Sequence, residues 1–99
     1  MAMVPQAAVT TLRFNGVINA VRRPELRTAF SSALHADHVL VDVSEASCSD
    51  ATLGLELLLL SQRMDAHGRL TVVTTSEAMN DAMSGLGLGE RTRIVTVIA

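Results

Sequence analysis

The sequence predicts an α/β domain, with a mixed, mostly parallel sheet of about four to five strands and about three helices. Two observations carry this. Short runs rich in Val, Ile, Leu and Thr alternate with segments whose apolar residues recur at helical spacing. An Asn-Gly pair after the first such run marks a turn, and hence an opening hairpin. The chain has 99 residues, 48% of them apolar and 18% charged. That is enough apolar material for the core of one domain and too little charge for a disordered chain.

In chain order, residues 1–8 read as an N-terminal extension and 9–99 as the domain. Val9-Thr10-Thr11-Leu12-Arg13-Phe14 alternates as a strand, Asn15-Gly16 turns, and Val17-Ile18-Asn19 forms a short second strand. Pro24 suits the first position of a helix, with Glu25 in its first turn and Leu26, Phe30, Ala33 and Leu34 on one face. Val39-Leu40-Val41-Asp42-Val43 is mostly apolar throughout, as in a central strand covered on both faces. Ser49 or Asp50 can cap a helix running to about Ala66, stopped by Gly68. Leu70 to Thr75 is a β-branched strand, Ser76-Glu77 opens a helix to about Leu86, and Arg93 to Ile98 closes the chain as a strand. Strands alternating with helices imply parallel units with right-handed crossovers.

Composition removes several function classes. The net charge is −2 and all eight basic residues are Arg, while the aromatics are two Phe. Phosphate tracking needs clustered cations and base stacking needs aromatic rings, so no direct nucleic-acid binding is expected. The single cysteine, Cys48, cannot form an intrachain disulfide, which points to a reducing compartment. Met1 to Ala8 has neither the positive start nor the apolar stretch of a signal peptide. The longest apolar run, Leu57 to Leu60, is far short of the ~20 residues that span a bilayer. The expectation is a cytoplasmic protein without membrane insertion.

The segment from Asp42 to Leu55 is dense in short polar residues and leads into the leucine-rich helix. Backbone N–H groups at such a helix start favour negative charge, so a phosphate on Thr52 would be tolerated there. The plainer reading is that Ser49 or Asp50 only caps the helix. At 100° per residue, Leu53, Leu57, Leu60 and Met64 share one stripe, the core face. Thr52, Glu56, Leu59 and Arg63 form a second stripe with Leu55 at its edge, either a partner surface or an ordinary solvated flank.

Three features together resemble the STAS domain, the fold of anti-sigma-factor antagonists, from about Val9 to Ile98. Gly16 followed by Pro24-Glu25-Leu26-Arg27-Thr28-Ala29 is similar to the family's first strand–loop–helix entry. Val39-Leu40-Val41-Asp42-Val43-Ser44 is similar to its central strand, ending in Asp-aliphatic-Ser. Asp50 stands where the family's Asp-Ser-Ser-Gly-Leu-Gly motif begins. Ala51 replaces the first motif serine, Thr52 takes the place of the phosphorylated serine, and Leu53 and Leu55 replace two glycines.

The resemblance implies a STAS-like switch that is not an enzyme and needs no cofactor or metal. It would bind an anti-sigma factor, often itself a serine/threonine kinase. Phosphorylation at Thr52 would add roughly −1.5 to −2 charges and block docking. The residues expected to meet the partner are Asn19, Arg22, Ser49, Asp50, Leu55, Glu56, Leu59 and Arg63. A second implication is a small cytoplasmic STAS subunit bracing the ATPase of a lipid-transporting ABC complex, since Leu53, Leu55 and Leu59 suit a permanent apolar contact. The leucine-rich helix is also compatible with a homodimer.

Catalytic readings are weaker. His35, Asp37 and His38 lack the further ligands of a zinc site, and the histidines read as helix-end groups. Cys48 has no identifiable base to activate it. Gly85-Leu86-Gly87-Leu88-Gly89 follows a helix, whereas a phosphate loop joins a strand to a helix. Arg22-Arg23, ahead of Pro24, can touch an acidic partner or stand as solvated charges.

Overall fold

A computed structural model describes residues 9–97, so the N-terminal extension expected at 1–8 and Ile98 lie outside the described residues. The elements are β1 (Val9–Ile18), a 3-10 turn (Ala20–Arg22), α1 (Arg23–Ser31), β2 (His38–Cys48), α2 (Thr52–Arg63), β3 (Arg69–Thr74), α3 (Glu77–Ser84) and β4 (Thr92–Thr96). They build an α/β domain with one four-stranded sheet in the order β1-β2-β3-β4, and all three pairings are parallel.

The expected opening hairpin and mixed sheet are therefore corrected. Asn15-Gly16 does not turn the chain, and Val9–Ile18 is one strand. Gly16 keeps the positive φ that the turn signal anticipates, 75°, but adopts it within the strand, beside a register shift. There Arg13 pairs with Asp42 and Asn15 with Glu45, so Val43 and Ser44 of β2 face Phe14 alone. Asp42 stabilises this bulge: its Oδ1 accepts the Ser44 N–H at 3.0 Å and the Ser44 hydroxyl at 2.6 Å. Pairing then resumes as far as Ile18 with Cys48, so β2 extends five residues beyond Val43 through most of the segment expected as a loop.

A strand order that advances one step at a time with right-handed crossovers places every helix on the same sheet face. The core shows that arrangement. Val39, Val41 and Val43 of β2 and Leu70 and Val72 of β3 are buried with Leu26 and Phe30 of α1, Leu53, Leu57 and Leu60 of α2, and Met83 of α3. The alternate residues Leu40, Asp42, Thr71, Val73 and Val95 are only half-buried and belong to the opposite face. Phe14 and Phe30 meet edge to face at 5.9 Å, fixing α1 against β1.

α2 is the central helix. Its first turn lies beyond the ends of β1 and β2, α1 flanks one side, and the segment after α3 closes the other. That closure is tight: a Cβ at Gly54 would sit 2.6 Å from Leu86 Cδ1. At the carboxyl end of α2, Arg91 Nη2 donates to the Ser61 carbonyl, one that a helix end leaves free, and Nη1 donates at 2.7 Å to the Asp65 carbonyl just beyond the helix.

Candidate functional site

The corner where β1, β2 and α2 converge is organised by Asp50. Its Oδ1 accepts the Thr52 N–H at 2.9 Å, and its Oδ2 accepts the Ala20 N–H at 3.1 Å. Hydrogen bonding from Thr52, and then from the Ala20 N–H, holds the Asp50 carboxyl below the usual carboxylate range. Asp50 thus ties the start of the 3-10 turn to the start of α2. It acts from one residue before the cap position, which Ala51 occupies without a side-chain hydrogen bond.

Thr52 is 2% exposed. The corner presents solvent with Ser47, Cys48, Ser49 and Asp50 instead, all exposed. Ser49 donates its backbone N–H to the Ile18 carbonyl at 3.2 Å and keeps its side chain accessible. Burial, and then the nearby Asp50 charge, raise the Cys48 thiol, which opposes thiolate formation.

Asn19 and Arg22 serve the fold directly. Asn19 Oδ1 accepts the Val21 N–H at 3.1 Å and starts the 3-10 turn. Arg22 pairs with Glu25 through Nε at 2.6 Å, and its Nη1 donates to the carbonyls of Asn15 at 2.5 Å and Val17 at 3.3 Å. The ion pair lowers the Glu25 carboxyl and raises the Arg22 guanidinium.

The second stripe of α2 divides in two. Leu55, Leu59 and Arg63 are exposed, Leu55 at 46% and Leu59 at 41%. Glu56 is 4% exposed and turns toward α1. Its Oε1 lies 3.1 Å from Arg27 Nε and 3.3 Å from Arg23 Nε. Sequence reading placed Glu56 on a partner surface and did not foresee this use. Arg23 and Arg27 one helical turn apart, opposite a carboxylate in a leucine-rich helix, are the signal that could have found it.

Two concavities flank α2. A cleft of about 460 Å³ opens between the corner and α3, walled largely by Ala51, Met79, Ala82, Met83 and Leu86. A groove of about 390 Å³ runs between α1 and α2 over Phe30, Leu34 and Leu60, with Arg27, Glu56 and Arg63 along its rim.

The three histidines are separate. His35 contacts Asp65 at 3.2 Å, His67 contacts Asp37 at 2.9 Å, and His38 contacts the Thr71 hydroxyl at 2.8 Å. Among the described residues no three His, Cys, Asp or Glu side chains converge as metal ligands, and no helix is long and apolar enough to cross a membrane. Compared with known proteins, the chain matches no family model, no curated protein and no solved structure.

Proposed function

We propose that this chain is a protein-binding regulatory module of the STAS kind, an anti-sigma factor antagonist that docks on an anti-sigma factor or serine/threonine kinase. One observation carries the reading: Leu55 and Leu59 stand exposed on the outer side of α2, beside an amino end that Asp50 holds in a fixed geometry. Exposed leucines on a rigid helix supply apolar contact area at little entropic cost, and fixed polar groups at the corner add orientation. In this reading Thr52 is a structural residue in its resting state. Ser49 is the exposed hydroxyl at the corner, and a phosphate there would stand next to the Asp50 carboxylate and repel an apolar or acidic partner.

A second reading, a permanent subunit bracing a lipid-transporting ABC ATPase, is favoured by the burial of Thr52. A hydroxyl kept from solvent fits a contact that is never switched. Affinity capture of the tagged chain from its own cells, with mass spectrometry of the partner and of Ser49 and Thr52, tests both. The expected result is a stoichiometric sigma-regulatory protein, lost in the Leu55→Asp/Leu59→Asp variant while the circular dichroism stays unchanged. A transporter ATPase in its place establishes the second reading. A chain that elutes alone removes both.

A further inference from the structure

We propose that the groove between α1 and α2 receives an acidic, amphipathic segment of the partner protein. An apolar side chain would pack against Leu59 over the Phe30–Leu34 floor, and a carboxylate would lie on Arg27 and Arg63. The inference rests on the protein-binding reading above and gives the partner its chemistry.

Charge decides the sign. Arg27 and Arg63 line the groove with one carboxylate, Glu56, which Arg23 also approaches from α1, in a chain whose net charge is −2. A cationic patch on an acidic molecule selects an anionic partner by field and by repulsion of the alternatives. Glu56 does not satisfy the cations it meets. Both arginines approach the same Oε1, a hydrogen bond forms only from Arg27, and Arg23 Nε is buried without one. Arg63 has no ion pair among the described residues and is exposed. The Arg27 guanidinium, already oriented by the buried Glu56 carboxylate, is suited to capture of a second one alongside Arg63.

Shape decides the rest. A groove between two helices with an apolar floor fits a helical segment that places apolar anchors one turn apart. Leu59 lines the groove, and Leu55, one turn earlier on α2, is exposed as well. A lipid surface fits less well, because each cation near an anionic membrane contributes only about 1 kcal/mol and this patch has few.

Panning a random peptide library against the full chain tests the proposal. The expected winners carry Asp or Glu in excess of Lys and Arg, with apolar residues three or four apart. A synthetic winner should lose roughly tenfold or more in affinity on Arg63→Glu, on Arg27→Glu and on Leu59→Asp, and should weaken with added salt. Arg63→Glu is the decisive variant, because that residue holds no ion pair whose loss would perturb folding. Basic winners, no winners, affinity indifferent to Arg63→Glu, or Arg63-dependent binding of phosphatidylserine vesicles would each overturn the proposal. A cellular partner whose capture depends on Leu55 and Asp50 but survives Arg63→Glu and Arg27→Glu would remove this inference and leave the module reading standing.

Discussion

Leucine occupies both sides of α2, and the two sides behave as different materials. Leu53, Leu57 and Leu60 are sealed against the sheet, whereas Leu55 and Leu59, of the same type and on the same helix, meet solvent. The inner set holds the fold and the outer set is free to hold something else. Between them lies Glu56, a carboxylate buried with the inner leucines and tolerable there because two arginines of α1 neutralise it. A helix can thus divide its surface between core and solvent within a single turn.

Substitutions on the two sides should separate these roles. Leu57→Ala removes fully buried methyl groups and should cost about 3 kcal/mol in urea unfolding. Glu56→Ala strands two cations, but both arginines retain solvent access, so about 2 kcal/mol is expected, with Glu56→Gln costing less. Asp50→Ala removes the acceptor of the Ala20 N–H, which is exposed, and of the Thr52 N–H, which is part-buried, and should lower the urea midpoint by less than Glu56→Ala does. Leu59→Ala should stay within about 0.5 kcal/mol of the parent. Equal losses at Leu57 and Leu59 would erase the distinction between the sides.

Acid probes the polar end of the same helix and the bulge below it. Hydrogen bonds from the Ser44 hydroxyl and N–H lower the Asp42 carboxyl, as those from Thr52 lower Asp50. A carboxyl whose folded value lies below its unfolded value adds stability that is present above the unfolded pKa and lost as pH falls through the folded one. The thermal midpoint should therefore fall below about pH 4, and the Asp42→Asn/Asp50→Asn double variant should show a shallower fall. Parallel pH profiles for the two proteins would remove these groups as the cause.

The α/β class, three helices, the strands at Val39, Leu70 and the C-terminal run, and the core stripe of α2 were legible because hydrophobic period reports which face is buried. The opening hairpin was misread because Asn15-Gly16 satisfies the local chemistry of a turn and of a bulge equally well, and pairing across 29 residues decides between them. The extension of β2 to Cys48 was illegible for a similar reason: Glu45 and Ser47 have low strand propensity and are held by β1. At the candidate site, spacing located the corner and its acidic residue. It could not show that Thr52 turns inward or that Glu56 answers two arginines, since both depend on where α1 lies.

Arg22 has a consequence for the outer margin of the sheet. Neighbouring carbonyls along a strand point to opposite edges, and that of Ile18 faces the β2 side, where Ser49 donates to it. Those of Asn15 and Val17 accordingly face away, where a strand of another molecule would bond, and the Arg22 guanidinium occupies them both. An incoming strand would have to expel a cation anchored by Glu25 before gaining its first two bonds there. The carboxyl half of β1 is in this way closed to edge-on polymerisation by one side chain of the chain itself.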